Sequence, residues 1–379
     1  MEPFSGKATL RTFVTAAAMS VIACQAHAAK GDWPMMNYDA QGTRNNRHET
    51  ILNTKTVKSL QLAWQVNGLG SGPYSPAVVD GVVYVSGFPL FYALDAITGK
   101  TIWTVANEYG TAPAVANGIV YIARSDGHLD AFDAASGTAI WSMGLDSGVS
   151  LTSPTVFGGR VFIQDNQGFA YAFNARTGNR LWKSDAKLYS SVFESAPVVA
   201  KGAVYFTSAS GIHAYDARTG AEIWEDENSG WNPWLVAGKH YVYSTAASVQ
   251  ANDMATGQKM WVGKIPSGGL ALAKNDLFDQ YDTAYFISRF DSGSGQLTET
   301  ETNPYSVMEY APTIVNGVLY SFGSCGICAF DAKTAKLLWS SSLGKRQPPS
   351  STEPPGPVVA NGMLYFRGTD SLIAYALKN

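Results

Sequence analysis

Ala93-Leu94-Asp95-Ala96-Ile97-Thr98-Gly99-Lys100-Thr101-Ile102-Trp103 is the stretch on which the reading of this chain turns. An apolar run leads into Asp95, and a second run leads out to Trp103. Between them, Asp can bond to the backbone of a tight turn, and Gly tolerates the left-handed conformation such a turn needs. The unit A-x-D-A-x-T-G-x-x-x-W is therefore two strands around a hairpin. It returns at Ala131 to Trp141 with Asp133 and Gly137, and at Ala172 to Trp182 with Asn174 replacing the Asp. Ala214 to Trp224 carries Asp216 and Gly220, and Ala251 to Trp261 carries Asp253 and Gly257. Ala329 to Trp339 keeps Asp331 but has Ala335 at the glycine position. A degenerate copy keeps Asp291 and Gly295, with Glu299 where the Trp belongs.

A second element precedes each unit. Pro76-Ala77-Val78-Val79-Asp80-Gly81-Val82-Val83-Tyr84 is an apolar run, a turn glycine and an aromatic three residues on. Gly118 and Tyr121, Gly159 and Phe162, Gly202 and Tyr205, Gly238 and Tyr241, Gly317 and Tyr320, and Gly362 and Tyr365 repeat it. Counting Trp64 and position 299, the terminal Trp positions are spaced 37 to 42 residues apart. Four short strands in a period near 40 are the signature of propeller blades. Trp64 has no earlier strands of its own unit, and the last copy, Gly356 to Leu377, has no fourth strand. The fragments complement each other, so Leu60 to Gln65 is expected to complete the last blade. The fold read here is all-β: an eight-bladed antiparallel β-propeller, closed by N-terminal strand pairing, which removes the open sheet edge. The Asp, Thr-Gly and Trp positions are read as turn and blade-packing residues.

The 379 residues are 46% hydrophobic and only 15% charged, with a net charge of -3 and no basic run. That excludes a nucleic-acid binder working by phosphate neutralisation. No apolar stretch reaches the roughly 18 residues of a membrane-crossing helix. Residues 1–28 read as a signal peptide: Lys7 and Arg11, an apolar core, then Ala26-His27-Ala28. Val21-Ile22-Ala23-Cys24 competes as a lipobox, which would place a lipid anchor on Cys24 and make the protein an outer-membrane lipoprotein rather than a periplasmic or secreted one. Residues 29–56 form a lead-in and 57–379 the propeller. With Cys24 removed or acylated, Cys325 and Cys328 remain. In an oxidising compartment they can pair, across what reads as the B–C turn of blade seven.

The repeated units resemble the PQQ-like repeat family, whose members are eight-bladed propellers. The lead-in, with Trp33, Tyr38, Asp39 and Arg44, then Val57 to Leu60, resembles the N-terminus of quinoprotein alcohol dehydrogenases. One branch of the family implies pyrroloquinoline quinone, Ca²⁺ and oxidation of an alcohol or sugar. That branch carries an adjacent Cys pair, a Trp floor, and Glu, Asn and Asp around the metal. The other, BamB-like branch implies a protein partner in the envelope and no chemistry.

The chain has no adjacent Cys pair, no C-x-x-C-H haem site and blades near minimal length. The carboxylate set is expected in the D–A connections: Glu108, Glu194, Glu225, Asp226, Glu227, Glu309 and Glu353. Trp231, Trp234, Tyr305, Tyr310, Lys345 and Arg346 share these loops. Such a mixture suits a partner as well as a flat anionic cofactor. The candidate face is therefore Glu194, Trp231, Trp234, Glu309, Tyr310, Lys345, Arg346 and Glu353, with no metal ligands assigned and no catalytic residue. His213 reads as a strand C residue and His240 as an A–B turn residue. The expectation is an exported binding or scaffold protein with an envelope partner; the competing reading is a quinone- and Ca²⁺-dependent dehydrogenase.

Overall fold

The computed structural model describes residues 31–70, 72, 74–106, 110–146, 152–184, 196–208, 211–227, 234–245, 248–263, 268–281, 286–302, 311–341 and 356–378. They form eight four-stranded antiparallel sheets, each with its strands A to D in spatial order. Blade 1 consists of Ala77–Val79, Val82–Ser86, Leu90–Asp95 and Thr101–Ala106. Blade 6, the degenerate copy, still forms four strands, Gly269–Ala273, Asp276–Tyr281, Phe286–Asp291 and Leu297–Thr302. Closure is as expected: Leu60–Asn67 pairs antiparallel with Ser371–Leu377, placing Leu60 opposite Leu377 and Asn67 opposite Ser371. The strand runs two residues beyond Gln65 and is the fourth, outer strand of the last sheet.

The C–D turn works as its composition demands. Asp95 accepts from the Thr98 amide and hydroxyl at 2.7 Å each, and the Gly99 amide donates to the Asp95 carbonyl at 2.8 Å. Gly99 has φ +69°, a conformation that Cβ-bearing residues avoid.

Blades meet through a second recurring device. The strand D Trp of one blade lies under the turn glycine of the next. Trp64 packs on Gly99, Trp103 on Gly137, Trp141 on Gly178, Trp182 on Gly220, Trp224 on Gly257 and Trp261 on Gly295. In every pair but that of Trp261, whose buried Nε1 has no hydrogen-bond partner among the described residues, the indole N–H then donates to a carbonyl of the same turn, as Trp64 does to Ala96 at 3.1 Å and Trp141 to Ala175 at 3.0 Å. The strand B Tyr hydroxyl often reaches the same acceptor: Tyr84 and Trp103 both donate to Ala134, and Tyr121 joins Trp141 on Ala175. These aromatics are blade-packing residues.

The lead-in does more than precede the propeller. Trp33 forms an antiparallel bridge with Val78 of blade 1, and the amide of Val115 in blade 2 donates to Pro34. The amides of Val199, Ala237, Leu272 and Ile314, in blades 4 to 7, donate to the carbonyls of Ala40, Gln41, Thr43 and Arg44. Asn46 Nδ2 reaches Val359 of blade 8 at 2.8 Å, and Met35 is buried in the core shared by blades 2 and 3. Residues 31–46 therefore run around the inside of the ring of A strands. Further bonds tie the lead-in to the A–B turns: Asp80 N to Asp32, and Asn316 Nδ2 to the Glu49 and Leu52 carbonyls. The segment is thus tied both to the A strands and to the A–B turns.

Candidate partner-binding face

Strand direction alternates within a blade, so the B–C turns and the D–A connections share the face opposite the A–B turns. Among the sequence candidates for that face, Glu194, Trp231, Glu309, Tyr310, Lys345, Arg346 and Glu353 lie outside the described residues. Trp234 is described. It immediately precedes strand A of blade 5, Leu235–Ala237, and its amide donates to Thr245 Oγ1 at 3.0 Å. Its half-buried side chain joins Met36 of the lead-in, Ala112, Ala196 and Tyr74 in one apolar cluster. All but Met36 stand just ahead of an A strand, in blades 1, 2, 4 and 5. The centre of the face is thus an apolar plug with Met36 at its heart.

On the same face, blades 2 and 3 carry charged groups that the sequence reading did not single out. In blade 2 Arg124, in the B–C corner, pairs with Asp126 and with Asp130 at 3.1 Å, and His128 Nδ1 stands 3.1 Å from Asp126. Burial opposes the charge on Asp126, but hydrogen bonds from Arg124 and His128 outweigh it and hold its carboxyl below the ordinary range. In blade 3 Asp165 accepts from the Tyr171 hydroxyl at 2.6 Å. Lys183 lies 3.8 Å from the centre of the Phe169 ring and 2.8 Å from Asp146, which Arg180 also binds. A cation over an aromatic ring is favourable, the more so when partly dehydrated. Arg124 to Asp130 come from one B–C corner, and Asp146 and Lys183 from the ends of two strands D; none of them matches a known linear motif.

Blade 4 contributes His213 from strand C, Ile212–Asp216. It is 5% exposed, and its Nε2 lies 3.1 Å from Ser208 Oγ. Burial pushes its pKa down to about 4, against the opposing charge of Glu227, so the ring is neutral near pH 7. Glu225 and Asp226 lie within strand D, Glu222–Asp226, rather than in the connection. Asp226 accepts from Asn252 at 2.7 Å and pairs with Lys259 at 3.5 Å, bridging to blade 5.

Near the axis, Arg44 is 1% exposed and donates to Pro312 O, Asn37 Oδ1 and Thr313 Oγ1. Burial lowers its pKa to about 9, because all three acceptors are neutral.

Cys325 and Cys328 form a disulfide. Cys325 occupies the B–C corner as read, but Cys328 lies inside strand C, Gly326–Asp331, fully buried. The bridge therefore ties the corner to its own strand rather than spanning the turn alone.

Calcium takes six to eight oxygen ligands. Of the described carboxylates of this face, five are engaged: Asp126 and Asp130 by Arg124, Asp146 by Lys183, Asp165 by Tyr171 and Asp226 by Lys259. Among the described residues no three His, Cys, Asp or Glu side chains converge as metal ligands. Those residues do not fit a calcium–quinone centre. Among them no helix is long and apolar enough to cross a membrane.

A family model described as outer membrane protein assembly factor BamB matches residues 52–262. The chain is 27% identical to the outer membrane protein assembly factor BamB of Yersinia pestis over 231 residues, 55% of this chain and 58% of that protein. It is 36% identical to the quinohemoprotein alcohol dehydrogenase of Comamonas testosteroni over 126 residues, 29% of this chain and 18% of the enzyme. The match thus spans less than a fifth of the dehydrogenase's length. The crystal structure of BamB from Moraxella catarrhalis superposes with a TM-score of 0.68 at 18% identity, covering 84% of this chain and 99% of that one. At that identity the likeness shows the fold.

Proposed function

The chain belongs to the family described as outer membrane protein assembly factor BamB, and from that premise we propose that it is an exported scaffold that docks a protein partner of the cell envelope. The docking surface is the face of B–C turns and D–A connections, and no chemistry takes place there. Export runs through residues 1–28 to the periplasm, or through an acylated Cys24 to the outer membrane. The propeller then comprises residues 57–379, with 29–56 as the lead-in.

The observation that carries this reading is the anatomy of the face. An apolar centre in which Tyr74 and Trp234 stay partly exposed over the buried Met36 is flanked, on the side of blades 2 and 3, by Arg124, Asp126, His128, Asp146 and Lys183, whose charges are internally paired. An apolar core within a polar rim, with Trp, Tyr and Arg prominent, is how protein interfaces are built. The candidates Glu194, Trp231, Glu309, Tyr310, Lys345, Arg346 and Glu353 would extend the same surface.

The local identity to a quinohemoprotein alcohol dehydrogenase supports a second reading, in which this face holds pyrroloquinoline quinone with Ca²⁺. One titration separates the two. Pyrroloquinoline quinone is added to the mature protein with and without Ca²⁺ and the heat is followed. The scaffold reading expects no saturable binding; one-to-one, Ca²⁺-dependent binding overturns it. In parallel, a photo-crosslinking amino acid at Trp234, His128 or Lys183 is expected to trap an envelope protein in cells. The same amino acid at Lys100, on the opposite face, is expected to trap none.

A further inference from the structure

The seam that joins blade 8 to blade 1 carries large apolar residues at two positions that differ elsewhere. By register, Leu62 in strand D of the last blade holds the place of Thr101, Ala139, Arg180, Glu222 and Lys259 in blades 1 to 5. In the C–D turn of blade 1, Ile97 stands two residues after Asp95, where the next six turns have Ala135, Arg176, Arg218, Ala255, Gly293 and Lys333. Leu297 and Leu337 keep a leucine in blades 6 and 7, but Lys333 and Lys378 hold the turn position in the blades that follow. The last seam alone combines Leu with Ile.

Both residues border a groove of about 550 Å³ on the face of the A–B and C–D turns, with Ile51 of the lead-in, Met363 and Leu377. Ile51 is 46% exposed, Leu62 52% and Ile97 70%. Single exposed apolar residues are ordinary on a protein surface; three gathered on one groove mark an interaction site. The segments that frame the groove are residues 49–65, 95–102, 359–366 and 371–378. They hold four lysines, Lys55, Lys58, Lys100 and Lys378, all exposed. Their two carboxylates are occupied. Buried Glu49 accepts from the amides of Ile51, Leu52 and Gly362, and Asp95 accepts from Thr98.

Apolar side chains flanked by lysines suit the surface of an anionic bilayer. The course of the chain agrees. The Asn361 amide, at the groove, donates to Gly31 O at 3.2 Å. Cys24 lies seven residues before Gly31, at most about 25 Å along the chain. An acyl group on Cys24 would therefore keep this face, and not the opposite one, toward the membrane.

We propose that the groove between blades 8 and 1 rests on an anionic phospholipid surface, with Ile51, Leu62 and Ile97 at the acyl boundary and the four lysines among the headgroups. The partner-binding face then points away from the membrane. Lipid contact here depends neither on a partner at that face nor on acylation of Cys24.

The test is co-sedimentation of the mature protein with vesicles of phosphatidylcholine, alone or with about one-third phosphatidylglycerol. Binding is expected on the mixed vesicles. It is expected to be weaker by about tenfold on the neutral ones, and by about tenfold in the double variant Leu62→Gln with Ile97→Gln. Both side chains are largely exposed, so the variant keeps the parent's fold. A bimane label on Ile97→Cys is expected to shift to the blue on the mixed vesicles. The same label on Gln167→Cys, in a B–C turn of the opposite face, is expected not to shift. No binding, equal binding to both vesicles, parent-like binding by the glutamine variant, or a shift at Gln167 rather than Ile97 overturns the proposal. So does self-association of the parent that the glutamine variant abolishes, which would give the groove to a second copy.

Discussion

Gly99 and Trp64 meet across the seam that joins the last blade to the first: a Cβ built on Gly99 would stand 2.8 Å from the indole ring. The same pair recurs at five further seams, so the glycine of the repeat serves two purposes, a left-handed turn and a floor for the neighbouring blade.

Gly99→Ala should therefore cost more than the turn conformation alone. Gly118, φ +74°, has nothing within 4 Å of a built Cβ, so Gly118→Ala isolates the backbone penalty, about 1 kcal/mol. Gly99→Ala adds overpacking against Trp64 and is expected to cost about 2 kcal/mol more. Ala335→Gly, where no indole is received, removes only the backbone strain of a Cβ at φ +49° and is expected to stabilise by about 1 kcal/mol. Urea unfolding of the three variants checks this, and equal losses for the first two would rule out the indole contact as the constraint.

Asn46 ties the lead-in to the last blade. It is fully buried, with Nδ2 donating to Gly31 O and Val359 O at 2.8 Å each, while Oδ1 accepts from the Glu49 amide at 3.1 Å. Asn46→Ala strands buried partners on both sides and is expected to cost about 2–4 kcal/mol in equilibrium unfolding. A loss within error of zero would mean that the lead-in is not held as described.

His213 gives the protein a pH dependence of calculable sign. Its folded pKa, about 4, lies below the unfolded value of 6.5. The unfolded chain therefore takes up the proton first. The stabilisation is complete above pH 6.5, declines as the pH falls, and is gone below about 4. Between pH 7 and 5 the loss is about 2 kcal/mol. His213→Gln should flatten this part of the profile, measured as unfolding free energy at the two pH values; an unchanged slope would show that the ring is protonated in the folded protein.

The Cys325–Cys328 bridge closes a very short loop, so it constrains the unfolded chain only modestly, by about 2 kcal/mol. Cys325→Ala with Cys328→Ala should lose that amount. Dithiothreitol should lower the parent to the same stability and leave the variant unmoved. A reductant effect on the variant would place the sensitivity elsewhere.

The propeller was legible because Asp95, Gly99 and Trp103 carry local chemistry that recurs at fixed spacing, and because the orphan strand at Trp64 needed a partner. Trp234 was legible as a Trp outside the repeat's own position. The Arg124–Asp126–His128 network was not, because its residues have no unusual spacing and acquire meaning only when the B–C corners meet on one face. Nor was the path of residues 31–46. Their contribution is mainly backbone carbonyls given to A strands hundreds of residues away, and a carbonyl leaves no mark in a sequence.

That path has a consequence for how the molecule comes apart. A bare ring of repeats is governed by nearest neighbours, and such arrays can lose one unit at a time. Here one short segment behaves as an axle, bonded or packed to every spoke from Val78 in the first blade to Val359 in the last. A blade that leaves must break its hold on the axle, and an axle that loosens is felt by all eight blades at once. Wheel and axle therefore fail together, in a single cooperative step.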